Sequence, residues 1–245
     1  MFDHVTIRAA DRAASERFYA VVLRTLEIAP ADSGEDFAEW DDFSVAQATA
    51  ERGPTHGLHI GFVAPTRSHV DAFWRAGTDA GYEDDGAPGP RPEYGPDYYG
   101  GFLRDPDGNS AEAVHHGNLR RGGIIDHLWI RVADVQAAKR FYDVAAPHAG
   151  FHLRDDTPER AQFSGASGSF SVVAGTPTER LHMAFPAADP ETVDAFHRAL
   201  TEAGHPDAGA PGERPQYHAG YYGAYVLDPD GNVIELVHHT ARMDA

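Results

Sequence analysis

The chain has 245 residues, 42% of them hydrophobic and 24% charged, the composition of an ordinary soluble globular protein. Its formal net charge of −18 argues against nucleic acid and anionic membrane surfaces as partners, and the absence of cysteine removes disulfides, thiolate catalysis and cysteine-held zinc. No apolar run approaches the roughly eighteen residues of a membrane span, and Met1 to Val5 enters a strand pattern without the basic and apolar start of a signal peptide, so a cytoplasmic protein is expected.

In chain order, Phe2 to Arg8 reads as a strand with His4, Thr6 and Arg8 on one face. Asp11 fits the N-cap of a helix running to about Leu26, with Phe18 and Val22 on its buried stripe. Two short strands follow between Phe37 and Ala48 around the turn Asp41-Asp42. A strand over Leu58 to Ala64 and a helix over Ser68 to Ala80, stopped by Gly81, open a second module. The stretch Asp84 to Asp97 holds four prolines and is expected to be a long irregular loop at the mouth of a site. Tyr98 to His116 then reads as a hairpin closed by Asp105-Pro106-Asp107-Gly108-Asn109, because Pro presets φ and Gly or Asn accepts positive φ.

The order then repeats. Asp105-Pro106-Asp107-Gly108-Asn109 with Glu112 recurs 123 residues later as Asp228-Pro229-Asp230-Gly231-Asn232 with Glu235, and the same offset relates Asp3-His4 to Asp126-His127, Arg8 to Arg131, Phe18-Tyr19 to Phe141-Tyr142 and His59 to His182. A repeat of this length means two domains, 1–118 and 124–245, joined by a linker over 119–123. The second is expected to run strand 124–132, Asp134 as N-cap, helix to about 145, strands near 151–154, 160–164, 169–174 and 181–185, helix 190–203, loop 205–219 and hairpin 220–239, with a frayed tail over 240–245. An older repeat lies inside each half: His4 and Phe18, His59 and Phe73, His127 and Phe141, His182 and Phe196 are each fourteen residues apart, giving four strand-then-helix modules.

Glu112 and Glu235 sit mid-strand between apolar neighbours, where a carboxylate needs a cation, hydrogen bonds or a metal to offset its desolvation. Each half also supplies two histidines near the start of a module's first strand. His4, His59 and Glu112, and again His127, His182 and Glu235, are therefore candidate metal ligands, and two imidazoles with one carboxylate suit a borderline divalent ion with open coordination positions. The same donors serve Fe, Mn, Zn, Ni and Co. Arg8 and Arg131, on the same strand faces as His4 and His127, either clamp an anionic substrate or pair with carboxylates. His116 and His239 follow their glutamates by four residues and are candidate partners of the ligands or proton shuttles, whereas His115 and His238 point toward solvent. Tyr98, Tyr99, Tyr221 and Tyr222 offer an aromatic pocket, half of them facing away; Trp40 and Trp129 are expected in packing, and His56, His69, His148, His152, His197 and His205 in structural or surface roles.

The four modules, the openings Asp3-His4-Val5-Thr6-Ile7-Arg8 and Asp126-His127-Leu128-Trp129-Ile130-Arg131, and the two closing motifs resemble the vicinal oxygen chelate superfamily of glyoxalase I, fosfomycin resistance proteins, methylmalonyl-CoA epimerase, extradiol dioxygenases and bleomycin-binding proteins. The resemblance spans both halves and implies an α+β fold, two tandem domains each of two βαβββ modules in an open barrel. It further implies a metal held by residues matching His4, His59 and Glu112, and a small-molecule substrate chelating that metal through adjacent oxygens. Triads either form within each half or the halves exchange modules, so that His4 joins His182 and Glu235. The chain is an internal pseudo-dimer and a candidate homo-oligomer.

Glyoxalase I and the epimerase draw a fourth ligand from the strand matching Phe43 to Ala48, where Gln47 is the candidate and Ala174 its counterpart. A three-ligand site with open positions is the arrangement of Fe(II) and O₂ chemistry. Extradiol dioxygenases also place a Tyr ten residues before the metal Glu, matching Tyr225, where the first half has Phe102; His218 is an approximate match to their loop histidine. The leading expectation is thus an Fe(II)-dependent extradiol-type dioxygenase with Tyr225, His218 and His239 as catalytic candidates and Arg8, Arg131, His116, Tyr98 and Tyr221 at the substrate. The alternatives are a glyoxalase- or epimerase-like lyase or isomerase, with His218 or His239 as base, and a protein that sequesters an aromatic or antibiotic ligand.

Overall fold

The computed structural model describes residues 1–240, so the tail expected to fray lies outside the described residues from 241 onward. Four βαβββ modules follow one another. The first is β1 (His4–Ala9), α1 (Arg12–Leu23), β2 (Asp32–Ser33), β3 (Phe37–Trp40) and β4 (Phe43–Gln47). The second is β5 (His59–Val63), α2 (Arg67–Asp79), β6 (Asp84–Pro90), β7 (Tyr99–Arg104) and β8 (Ser110–His115). Next come β9 (Ile125–Val132), α3 (Val135–Ala149), β10 (His152–Thr157), β11 (Arg160–Ser164) and β12 (Ser169–Ala174). The last is β13 (His182–Pro186), α4 (Pro190–Glu202), β14 (Asp207–Glu213), β15 (Tyr221–Leu227) and β16 (Val233–His239).

Helix starts follow the expected capping chemistry. Asp11 accepts from Ala14 N at 2.9 Å, and Asp134 accepts from Gln136 N and Ala137 N at 2.8 and 3.0 Å, each satisfying amides that the first turn leaves unpaired. Helix α3 continues past the expected end near 145 to Ala149, with Pro147 in its last turn and Gly150 at φ 69° ending it. The two stretches expected to be irregular contain strands instead. Asp84–Pro90 and Asp207–Glu213 are each the outermost strand of a sheet, a position where proline is tolerated because one side of the strand makes no ladder bonds.

The sheets do not follow the sequence halves. One runs β14-β15-β16-β13-β1-β4-β3-β2 and so joins the first module to the fourth; the other runs β10-β11-β12-β9-β5-β8-β7-β6 and joins the second to the third. The joints are antiparallel: His4 lies opposite Ala184 and Thr6 opposite His182 on β1 and β13, and His59 opposite Trp129 and Gly61 opposite His127 on β5 and β9. Each half nevertheless gathers much of its own core. Tyr19 from α1 packs on Phe43 of one sheet and Phe62 of the other, and Tyr142 from α3 packs on Phe163 and Phe170 of one sheet while Phe151 bridges to Phe185 of the other. These rings are almost fully buried, and burial of each contributes on the order of 2 kcal/mol.

The linker is held from inside. Arg120 is buried beside Asp42 at 2.6 Å and donates to Ile125 O at 2.7 Å, while Asp42 Oδ1 accepts from Ile124 N and Ile125 N. Asp42 immediately precedes β4, and Ile125 opens β9, so this pair ties the crossing between halves to the neighbours of β1 and β5.

Two candidate metal centres

The turn motif that closes each half also aims its histidine. Asp105 Oδ1 accepts from Asp107 N and Asn109 N, and Gly108 takes φ 82°, which closes the turn. Asn109 then reaches across to accept from Leu58 N at 3.1 Å and donate to Thr55 O at 3.0 Å, fixing the backbone one residue before His59. In the repeat, Asn232 accepts from Leu181 N at 3.0 Å, one residue before His182. The parallel registers His59 opposite Ser110 and His182 opposite Val233 bring each histidine beside the strand that carries its glutamate.

Because the modules are exchanged, the grouping of His4 with His59 and Glu112, and of His127 with His182 and Glu235, does not form. The donors converge instead as His59, Glu112 and His127 in one centre and His4, His182 and Glu235 in the other, all ligand atoms of a group within 4.8 Å of one another. In the first, His59 Nε2 and His127 Nε2 lie 3.0 and 3.3 Å from Glu112 Oε2 and 3.3 Å from each other. In the second, His182 Nε2 and His4 Nε2 lie 2.7 and 3.4 Å from Glu235 Oε2. Ligand atoms about 2.1 Å from one ion and at right angles to each other are roughly 3 Å apart, so both donor sets fit a single divalent cation.

The surroundings support the same use. Glu112 and Glu235 are essentially inaccessible to solvent. Burial pushes Glu112 up, but hydrogen bonds and charge from His127 and His59 outweigh it and bring it down to about 2; His182 and His4 do the same for Glu235, to about 2. Each remaining carboxylate oxygen accepts from a tyrosine, Tyr98 to Glu112 at 2.8 Å and Tyr221 to Glu235 at 2.5 Å. Gly100 and Gly223 leave the space for these carboxylates: a Cβ on Gly223 would stand 2.7 Å from Glu235 Oε1, and one on Gly100 would crowd Glu112 Oε1 still more.

Asp126 Oδ2 accepts from His127 Nδ1 at 3.0 Å and Asp3 Oδ1 from His4 Nδ1 at 2.9 Å, which places the Nε2 lone pairs at the centres once those nitrogens are unprotonated. Burial lowers both imidazoles, but these aspartates and the glutamates prevail and raise His127 to about 10 and His4 to about 9. For His59 and His182 burial prevails and, with the neighbouring imidazole, lowers them. Within each pair the two imidazoles are thus pushed in opposite directions, His127 and His4 being the more basic members.

His116 and His239 sit behind these aspartates, His116 Nε2 at 3.2 Å from Asp126 and His239 Nε2 at 3.0 Å from Asp3. His218 Nε2 meets His239 Nδ1 at 2.9 Å, and both rings also pack against Tyr221, the tyrosine that donates to Glu235, with centroids 5.3 and 5.1 Å away. Gln47 is not a fourth ligand: its Nε2 donates to three carbonyls, of Ala9, Ala10 and Ala48, and its Oε1 accepts from Arg12 N. Parity puts Ser44, opposite Thr6, on the cavity face of β4 in its place. His115 and His238 contact Ala64 O and Ala187 O, and His238 is buried while His115 stays partly exposed. Tyr99 and Tyr222 do face away, donating to Asp71 and Asp194 on the helices.

Several residues at the sites went unassigned or misassigned in the sequence. Trp129, expected in packing, lines a cavity of about 330 Å³ at the His59 centre with Arg91, Tyr94, Phe102 and Arg131. Arg131 donates to Gly57 O and Arg8 to Gln47 O, and among the described residues neither pairs with a carboxylate. Asp3 and Asp126 stood beside their histidines in the duplicated dipeptide, which was the available signal. At the His4 centre Tyr225 stands edge-on to His182 with centroids 5.9 Å apart, as Phe102 does to His59 in a more tilted contact. The Tyr225 hydroxyl is buried and makes no hydrogen bond of good geometry, with the Tyr217 side chain close by.

Among the described residues no helix is long and apolar enough to cross a membrane. No protein of curated function matches the chain significantly. Among solved structures, glyoxalase I from Zea mays is similar over 99% of this chain and 93% of its own, at 19% identity and a TM-score of 0.69. A mutant of that enzyme covers 99% and 95% at 18% identity and 0.70, and a putative dioxygenase from Bacillus subtilis covers 98% and 85% at 13% identity and 0.67. At these identities the likeness is one of fold. The model of the Glyoxalase/Bleomycin resistance protein/Dioxygenase superfamily matches residues 1–113 and again 124–236, so the chain belongs to that superfamily, as a tandem member.

Proposed function

We propose that the protein is a metal-dependent enzyme on a small, oxygen-rich, aromatic substrate, and that the His4 centre performs extradiol-type ring cleavage, inserting both atoms of O₂ across a ring carbon–carbon bond beside a hydroxyl. His4, His182 and Glu235 would hold the divalent ion, with Fe(II) favoured and Mn, Zn, Ni or Co served by the same donors; His59, Glu112 and His127 would hold a second. The ion would supply a Lewis acid for adjacent substrate oxygens and a site for O₂. The observation that carries the reading is the Tyr225 hydroxyl, buried next to His182 without a well-formed bond. Burial, together with the charge of Glu235, raises its pKa, so it remains a hydrogen-bond donor, available to an oxygen of the bound substrate. Arg8 and Arg131 would receive an acidic group of the substrate; Tyr98 and Tyr221 would fix the carboxylates rather than touch substrate, and His116, His218 and His239 would position the ligand imidazoles. The chain would work in the cytoplasm as an internal pseudo-dimer.

The test is oxygen uptake and ring-opened product from catechols with Fe(II)-loaded protein. Tyr225→Phe should lower turnover by about 10²-fold or more if the hydroxyl takes part in proton transfer. No oxygen uptake with any catechol, or full activity in Tyr225→Phe, would reject the reading. A lyase or isomerase is the second reading, favoured by the exchange of modules, the pairing single-domain relatives make between subunits. It would show as oxygen-independent turnover.

A further inference from the structure

The two centres are built from the same repeat, so differences between them stand out against a matched background. At the His59 centre, His59 Nδ1 contacts Ser110 Oγ at 3.0 Å, Ser110 Oγ donates to Asp85 at 2.7 Å, and Asp85 pairs with Arg104. Since the serine proton goes to Asp85, its oxygen accepts from His59 Nδ1–H, and the Nε2 lone pair is left for the centre. In the repeat, all three supports are apolar. Val233 stands at the position of Ser110, Ala208 at that of Asp85 and Leu227 at that of Arg104. The registers are the same, His59 opposite Ser110 and His182 opposite Val233, so the replacement is in place and not a shift. Among the described residues His182 Nδ1 has no hydrogen-bond partner, and the ring's one such bond is from Nε2 to Glu235 Oε2. The other imidazole is supported equally in both centres, His127 by Asp126 and His4 by Asp3.

We infer that the protein carries one tightly binding and one weakly binding metal centre, and that the Arg104–Asp85–Ser110 chain is the positioning device that makes the His59 centre the tight one. The inference rests on the reading of both donor sets as metal sites. An orienting partner fixes the tautomer and ring plane of a ligating histidine and raises its basicity, and losing one costs about 10–100-fold in metal affinity. The centre with Tyr225 therefore exchanges its ion, while the centre with Phe102 retains it.

The experiment is titration of metal-free protein with Co²⁺, read by calorimetry and by the visible absorption of the bound ion. Wild type should bind two equivalents in two phases about 10–100-fold apart. Glu235→Ala should retain the tight phase and Glu112→Ala the weak one. Because either change could disturb folding, Ser110→Val in otherwise unaltered protein is the second arm: it should weaken the tight phase by about that factor and leave the other unmoved. Ala208→Asp with Val233→Ser should tighten the weak phase. Two equivalent sites, or a tight phase indifferent to Ser110→Val, would overturn this inference and leave the metal reading intact. Failure to bind Co²⁺ in either centre would overturn both.

Discussion

Gly223→Ala is the smallest change that tests whether the carboxylate cradle is what holds the ion. The new methyl carbon would stand 2.7 Å from Glu235 Oε1, where ordinary contact begins near 3.4 Å, so oxygen or backbone must give by roughly 0.7 Å. The backbone has little freedom, since Gly223 lies opposite Val237 within a seven-residue antiparallel register. The carboxylate is the part that moves, and its Tyr221 bond of 2.5 Å moves with it. Metal–ligand distances tolerate about 0.2 Å, so the displacement exceeds tolerance several-fold and affinity at the His4 centre should fall by at least the 10–100-fold seen for lost supporting contacts. Overpacking costs about 1–3 kcal/mol in addition, or roughly 2–12 °C in Tm at this size. The assay is metal content after equilibration at a free concentration that saturates wild type, which should drop from two equivalents toward one. Gly100→Ala should do the same at the His59 centre. A Gly223→Ala protein that binds two ions with unchanged affinity would refute the argument that space for the carboxylate, and with it the donor geometry, is set at this position.

Three further outcomes follow from the same geometry. Arg120→Ala should cost about 3 kcal/mol by leaving Asp42 buried without its cation, at the low end for such pairs because Asp42 Oδ2 accepts no well-aligned hydrogen bond; urea denaturation checks this, and a loss below about 1 kcal/mol would contradict it. Metal uptake should strengthen with pH: His4 and His127, raised to about 9 and about 10, stabilise the metal-free fold while protonated, fully below their unfolded value of 6.5 and no longer once pH passes those values, whereas the ion needs both nitrogens unprotonated. Proton release measured in two buffers of different ionisation enthalpy should approach one per site at neutral pH, and none would count against the assignment. Asn109→Ala should loosen the start of β5, weakening metal at the His59 centre more than at the other, and single-site Co²⁺ titration reads the difference.

The duplication, the four modules and the six side chains that gather in the two His/His/Glu groups were legible in the amino-acid sequence, because strand alternation and the 123-residue offset are local and repetitive properties. A glutamate between apolar neighbours in a strand announces a partner wherever the strand ends up. Which partner was a different matter. His4 is equally far along its strand whether β1 pairs with a strand of its own half or with β13, and only the sheet order joins it to His182 and Glu235. Edge position likewise decided that proline-rich Asp84–Pro90 is a strand, since composition alone counts the missing amides and not whether a neighbour needs them. Asp85, Ser110 and Arg104 lie up to 25 residues apart with nothing periodic about them, and their convergence behind His59 exists only in the folded sheet. Sequence determined what each module could contribute; the pairing of modules, a choice among strand edges that local chemistry leaves nearly equal, decided which contributions meet.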